Sequence, residues 1–182
     1  MYSDTRIDAT ALDHHTYVGV DNLLQNRAGK TVSNYVPETG RLTCYKADDI
    51  LLGNIRPYLK KIWHSDDQGG TNGNVLVIRI KPEEKEKILP RYLYQVLADD
   101  NFFHYAMKTS KGAKMPRGNK QLIMKYEIPV PSPEEQERIV AILDKFDVLV
   151  NDISSGLPAE ISARRQQYEH YRNQLLTFQE AA

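Results

Sequence analysis

Residues 131–144 read PSPEEQERIVAILD and carry the clearest start of a helix in the chain. Ser132 can cap a helix, Pro133 suits its first position, and Glu135 completes a capping box. Apolar residues then recur at spacings of three and four between Ile139 and Ile153. This pattern predicts a helix whose broad apolar face packs on a globular domain.

A second helix is expected after the segment SSGLPAE, residues 154–160, because Gly156 favours the end of one helix and Pro158 the start of the next. Residues at seven-residue intervals, apolar except for one arginine, form a narrow seam along this helix. The seam consists of Leu157, Ile161, Arg164, Tyr168, Tyr171, Leu175 and Phe178. A helix of this length is marginal alone, and the narrow seam favours a helical partner, with Arg164 as a candidate register lock. The alternative is an ordinary amphipathic helix folded on its own domain.

Upstream of these helices the pattern is typical of a mixed α+β domain. Short runs rich in Ile, Val and Leu predict strands within residues 16–24, 49–56, 59–64 and 74–80. Residues 66–74 are predicted to be a loop from their composition. Helical spacing in residues 91–109 predicts one or two helices, and the prolines in 126–131 predict an extended segment. We therefore divide the chain into a globular domain, residues 1–131, and a helical region, residues 132–182.

Composition narrows the class of protein. The chain has 182 residues, a net charge of zero and one cysteine, Cys44. A single cysteine provides neither a disulfide framework nor a metal cluster. With no signal peptide or membrane-spanning run in the sequence, we expect a cytoplasmic protein that does not interact with membranes.

Charge is unevenly distributed along the chain. Residues 41–125 contain sixteen Lys and Arg against nine Asp and Glu, whereas residues 133–182 contain five basic and nine acidic residues. Between Lys108 and Lys125 there are six basic residues and no acid. The glycines, proline and asparagine within this run predict an exposed loop, which either attracts a polyanion or is simply a solvated lysine-rich loop.

No catalytic or metal-binding motif is found. The segment AGKTVS, residues 28–33, contains the Gly-Lys-Thr of a phosphate-binding loop, but Leu24 stands where the motif needs its first glycine. His14 and His15 are adjacent, so their side chains do not face one metal easily. The sequence therefore predicts no catalytic residue, no metal site and no cofactor.

Two parts of the chain resemble the specificity subunits of Type I restriction-modification systems. Residues 128–178, IPVPSPEEQERIVAILDKFDVLVNDISSGLPAEISARRQQYEHYRNQLLTF, are similar to the conserved helical region of that family. The segments DILLGNIRPYLKKIW (49–63) and GGTNGNVLVIR (69–79) resemble its target-recognition domains. Full-length members have two recognition domains and two helical regions, whereas this chain has one of each. The resemblance therefore implies either a half-length subunit or a truncated one.

The resemblance implies a function without catalysis. Two helical regions of this family form an antiparallel coiled coil, so a half-length chain implies a homodimer on an inverted repeat in double-stranded DNA. The implied partners are a modification subunit, which binds S-adenosylmethionine and methylates adenine, and a restriction subunit that translocates and cleaves DNA. The candidate DNA contacts are Lys111, Lys114, Arg117 and Lys120 in the basic loop, Arg56, Lys60 and Lys61 in a second basic cluster, and Asn72, Asn74 and Asn119 as readers of base edges.

Two other hypotheses remain open. The chain could be a regulatory or vestigial module that binds the modification subunit without recognising DNA. It could also be a nuclease or hydrolase whose site the sequence does not reveal. The bases recognised and the length of the spacer between half-sites are not predictable from the sequence.

Overall fold

The computed structural model describes residues 1–112, 114–152 and 158–177. It contains two small β-sheets and five α-helices. The strands are β1 (Arg6–Asp8), β2 (Tyr17–Val18), β3 (Arg41–Tyr45), β4 (Ile50–Gly53), β5 (Ile62–His64), β6 (Gly69–Thr71) and β7 (Val75–Ile78). The helices are α1 (Pro90–Leu97), α2 (Asp100–Lys108), α3 (Lys120–Ile123), α4 (Pro133–Asp152) and α5 (Pro158–Leu176). The predicted α+β class is confirmed.

The three-stranded sheet, in the order β5-β4-β7, lies in the middle of the globular part. One of its faces packs on helices α1, α2 and α3 through residues such as Leu52 and Leu76. Its other face, which includes Leu51 and Val77, packs against the four-stranded sheet β1-β3-β6-β2. Burial on both faces explains why these strands are continuously apolar instead of alternating with polar residues.

The register of this sheet determines which loops lie together. Strand β4 is antiparallel to both neighbours, and Gly53 pairs with Val75 while Ile50 pairs with His64 and Ile78. The connection 54–61 and the segment 72–74 therefore leave the sheet at the same end.

The prediction that residues 66–74 form only a loop is wrong, because β6 lies between β3 and β2 in the four-stranded sheet. The reason is close approach of the neighbouring chain. A Cβ atom on Gly69 would lie 2.0 Å from the carbonyl oxygen of Thr16, and one on Gly70 would lie 2.5 Å from Leu12 Cδ1. These glycines mark a crowded strand, not a flexible turn.

Other predicted strands are shorter than expected. Strand β2 ends at Val18 because the Asn22 side chain organises a turn, in which its Oδ1 accepts from the Gly19 N–H at 2.6 Å. Residues Pro57–Leu59, predicted in part as strand, form a short 3-10 helix. In residues 91–109 the structure has two helices, separated where the Asp99 side chain accepts from the Asn101 N–H and begins α2.

Helix α4 begins at Pro133 as predicted and is firmly attached to the globular part, but the Glu135 carboxylate does not accept from the Ser132 N–H as the predicted capping box requires. Ser132 Oγ accepts from the Glu135 N–H at 3.4 Å, while the Glu135 carboxylate pairs with Arg138 at 2.6 Å. The fully buried Gln136 side chain donates to the carbonyl oxygens of Lys87 and Pro131 and accepts from the Leu89 N–H. The apolar face of α4, with Ile139 and Leu143, packs on Tyr92 and Val96 of α1.

Helix α5 packs on its own chain. Tyr168 is only 8% exposed and lies in the same cluster as Ile139 and Leu143, with Leu175 at its edge. The narrow seam suffices for packing on the globular part because Arg172, a polar residue outside the apolar pattern, completes the packed face. Leu157, Phe178 and the side chain of Ile161 lie outside the described residues, and the coiled-coil dimer stays a prediction.

Candidate nucleic-acid interface

Three separate segments meet at one end of the three-stranded sheet. The Asn54 N–H donates to the Asn74 carbonyl oxygen at 2.8 Å, which joins the connection 54–61 to the segment 72–74. The Gly118 N–H donates to the Asn54 oxygen at 3.1 Å, and the Arg56 N–H donates to the Pro116 oxygen at 2.8 Å. Backbone hydrogen bonds therefore bring the basic loop beside the second predicted cluster.

The basic loop is a closed hairpin. Lys111 and Arg117 each donate a backbone N–H to the other's carbonyl oxygen at 2.9 Å. The predicted contact residues Lys111, Lys114, Arg117 and Lys120 are all exposed. Among the residues that the structure describes, neither these four cations nor the exposed Arg56 forms an ion pair. Such side chains can approach phosphates without first losing a partner.

The segment Arg56–Lys60 forms a turn with an unusual backbone conformation, which we call the 56–60 turn. Arg56 and Lys60 have φ angles of 52° and 50°, in the left-handed region that non-glycine residues rarely adopt. They flank the short helix Pro57–Leu59, and two further left-handed residues, Asn26 and Arg27, donate backbone N–H groups to Leu59 and Lys60. Strain of this kind persists only where the surroundings hold it, and it concentrates at functional sites.

Tyr58 lies on this turn and is 50% exposed. Tyr58 is not among the contact residues predicted from the sequence. An aromatic residue in GNIRPYLKK, between Arg56 and Lys60, was the available signal, because basic residues interleaved with aromatics are typical of nucleic-acid contacts.

Lys60 and Lys61, by contrast, already have partners. Lys60 Nζ lies 2.6 Å from Asp100 Oδ1, and Lys61 Nζ donates to the Val20 carbonyl oxygen at 2.6 Å. Burial lowers the pKa of Lys61. Of the predicted second cluster, only Arg56 is an exposed cation without such a contact.

The three predicted asparagines also differ in whether their side chains already have hydrogen-bond partners. Asn72 Oδ1 accepts from the Asn74 N–H and its Nδ2 donates to the Tyr17 hydroxyl. Asn119 caps α3, accepting from the Gln121 and Leu122 N–H groups. Reading adenine takes both the oxygen and the nitrogen of an amide, so Asn74, whose side chain has no hydrogen bond within the described part of the chain, is the best placed of the three.

Within residues 1–112, 114–152 and 158–177, no group of three or more His, Cys, Asp or Glu could hold a metal ion. None of the helices in these ranges has the length and apolar character needed to cross a membrane. The exposed or partly exposed groups that meet at this end of the sheet are cations, the Asn74 amide and the Tyr58 ring.

Comparison with known proteins identifies relatives. The family described as "Type I restriction modification DNA specificity domain" matches residues 20–163. The Type I restriction enzyme EcoR124I/EcoR124II specificity subunit of Escherichia coli is 42% identical over 95 residues, which are 51% of this chain and 23% of that protein. The MjaVIII specificity subunit of Methanocaldococcus jannaschii is 25% identical over 171 residues, which are 87% of this chain and 35% of that protein.

The fold has a counterpart among solved structures. The HsdS subunit from Thermoanaerobacter tengcongensis superposes with a TM-score of 0.61 at 22% identity, covering 85% of this chain and 40% of that one. The chain thus spans less than half the length of these relatives. Since the family match extends over well more than half of its residues, this chain belongs to the Type I restriction modification DNA specificity domain family.

Proposed function

We propose that this chain recognises a DNA sequence for a Type I restriction-modification complex and has no catalytic role of its own. The observation that carries the proposal is the convergence of Arg56, Tyr58, Asn74 and the basic hairpin at one end of a rigid sheet. The cations supply attraction for phosphates, while an amide and an aromatic ring supply contacts to bases.

In this proposal the remaining activities belong to partners. A modification subunit binds S-adenosylmethionine and methylates the DNA, and a restriction subunit cleaves it, in the cytoplasm. The chain itself needs no cofactor, because its role is to direct these subunits to a site.

We further propose that two copies form a homodimer through the outer face of the helical region. Val148 and Leu149 on α4 are 59% and 47% exposed, and Tyr171 on α5 is exposed beside Phe146, on which its ring stacks at 5.5 Å. A two-fold dimer would match an inverted repeat. Helix α5 is about 30 Å long at ~1.5 Å per residue, close to the ~34–36 Å of one DNA turn, so it could set the spacing of the half-sites.

The test of DNA recognition is Arg117→Ala, measured in the complex with the modification subunit across a range of salt concentrations. Loss of one phosphate contact should weaken binding and reduce the slope of log affinity against log salt by about 0.9. Lys85→Ala is the matched control, since Lys85 is exposed and follows the other end of β7. Equal binding by the two variants would remove the hairpin from the site, and stable complex formation without sequence-dependent binding would favour the regulatory module instead.

The dimer has its own test. Val148→Asp places a charge on the exposed strip of α4 without touching the described core, and sedimentation velocity compares it with the unaltered chain. We expect a dimer for the unaltered chain and a monomer for the variant. A chain that is monomeric at every concentration would refute the dimer and leave the DNA site untouched.

A further inference from the structure

Arg27 is the centre of a partly buried cluster of charges away from the exposed cations. Its side chain is 14% exposed. The guanidinium donates to the Ala98 carbonyl oxygen through Nε, to Asp100 through Nη2, and to Glu169 Oε1 through Nη1 at 3.1 Å. Three partners from two helices and the junction between α1 and α2 therefore converge on one side chain, which the function proposed above does not use.

One side of this cluster holds the 56–60 turn. The Arg27 N–H donates to the Lys60 carbonyl oxygen at 2.9 Å, and Lys60 Nζ shares Asp100 with the Arg27 guanidinium. Burial opposes ionisation of Asp100, but Lys60 and Arg27 outweigh it, so the pKa of Asp100 is lowered. The turn is thus held to Arg27 by both its backbone and a shared carboxylate.

The other side holds helix α5. Glu169 of α5 accepts from Arg27, and the second carboxylate oxygen of Glu169 is buried with no hydrogen-bond partner among the described residues. Arg172, one helical turn further along α5, donates to the same Ala98 oxygen at 3.1 Å. The Ala98 carbonyl belongs to the C-terminal end of α1, where the helix dipole favours cations. The 56–60 turn and helix α5 are therefore both bound to Arg27.

We propose that Arg27 is a positioning residue that couples the 56–60 turn to helix α5, so that a change in the docking of α5 is transmitted to the turn. The geometry supports transmission in both directions. Lys60 contacts the Arg27 backbone and Asp100, and Glu169 contacts the Arg27 guanidinium, while no hydrogen bond or ion pair within the described part of the chain joins Lys60 directly to Glu169. Arg27 would thereby fix the orientation of the 56–60 turn relative to helix α5.

The test is amide hydrogen exchange of the full chain without DNA, under conditions where exchange reports local opening. Glu169→Gln, a change on α5, should accelerate exchange of the Leu59 and Lys60 amides about threefold to fivefold. Lys60→Met should accelerate exchange of α5 amides by a similar factor. Glu137→Gln, which neutralises an exposed acid on α4, is the matched control and should leave the turn unchanged.

The same substitutions are then repeated with Arg27 replaced. In an Arg27→Met background, each substitution should accelerate amide exchange only in the element that carries it, because the coupling residue is absent. Arg27→Lys serves if the methionine variant does not fold, since it keeps the charge but loses the planar fork that reaches three partners. Turn amides unaffected by Glu169→Gln in the unaltered background would overturn the proposal, as would cross-effects that survive in the Arg27 variants.

Because no DNA is present, a negative result here leaves the DNA-recognition proposal standing. Equally, a failure of sequence-dependent DNA binding would leave the coupling between the turn and α5 untouched.

Discussion

Replacing Arg172 by methionine tests whether α5 is held on its own chain by a buried cation. Arg172 is 1% exposed, donates to Gln95 Oε1 at 2.5 Å and to the Ala98 oxygen at 3.1 Å, and lies over the Tyr168 ring at 4.7 Å. Methionine keeps a flexible apolar stem of similar reach and removes only the guanidinium.

The expected loss of unfolding free energy follows from these contacts. Gln95 is fully buried, and leaving its oxygen without a donor costs about 1–3 kcal/mol. Loss of the cation–π contact adds about 0.5–2 kcal/mol. Against this, Arg172 Nε is buried without a partner among the described residues, so its removal relieves part of the cost of burying the charge. We expect a net destabilisation of about 2 kcal/mol.

Urea unfolding followed by circular dichroism measures this difference, with Arg165→Met as control. Arg165 is an exposed cation on the same helix, and surface substitutions change stability by less than about 0.5 kcal/mol. Adding Gln95→Leu to Arg172→Met should recover part of the loss, because the unpaired acceptor is then absent. If Arg172→Met were no more destabilising than Arg165→Met, the docking of α5 described above would be wrong.

Three further predictions concern stability. Gly118→Ala should destabilise the chain by about 1–3 kcal/mol in urea unfolding, because a Cβ atom there would lie 2.6 Å from Asn54 Oδ1. Gly73→Ala is the control and should be nearly neutral, because its Cβ atom would meet nothing within 4 Å. Equal effects of the two substitutions would contradict this prediction. Leu143→Ala should lower the unfolding free energy by about 2–5 kcal/mol, since Leu143 is fully buried between α1, α4 and α5; a loss below 1 kcal/mol, measured the same way, would mean that α4 is not docked. The pKa of Asp100 is lowered, so its ionised form stabilises the fold above about pH 4, and this contribution is lost as the pH falls through the folded-state pKa. Asp100→Asn should therefore flatten the acid limb of a profile of unfolding free energy against pH. Parallel profiles for the variant and the unaltered chain would exclude this role.

Features of the fold that depend on residues close together in the sequence could be predicted. The cap at Ser132 and the strands rich in Ile, Val and Leu are of this kind. Strand β6 was not, because its two glycines are required by the backbone of Thr16 and the side chain of Leu12, which are distant in sequence.

The candidate site shows the same division. The exposure of the basic hairpin was predictable from its composition. The ion pair of Lys60 was not, because its partner, Asp100, is forty residues away in the sequence. Asn119, a predicted reader of base edges, uses its side-chain oxygen to cap α3. Which of the predicted cations has a partner within the chain depends on long-range contacts that only the fold provides.

The closed base of the basic hairpin separates two kinds of residue. Lys111 and Arg117 lock the base through backbone atoms, and between them Gly112, with a φ of 97°, and the buried Pro116 are fixed by the shape and packing of the loop. Lys114 and Met115 are exposed, so their side chains can be exchanged while the sheet, the 56–60 turn and the helices keep their packing. Under the proposed function, substitutions at these two positions would alter the contacts of the hairpin with DNA and leave its backbone frame unchanged, so a library confined to them is the starting point for redirecting the chain.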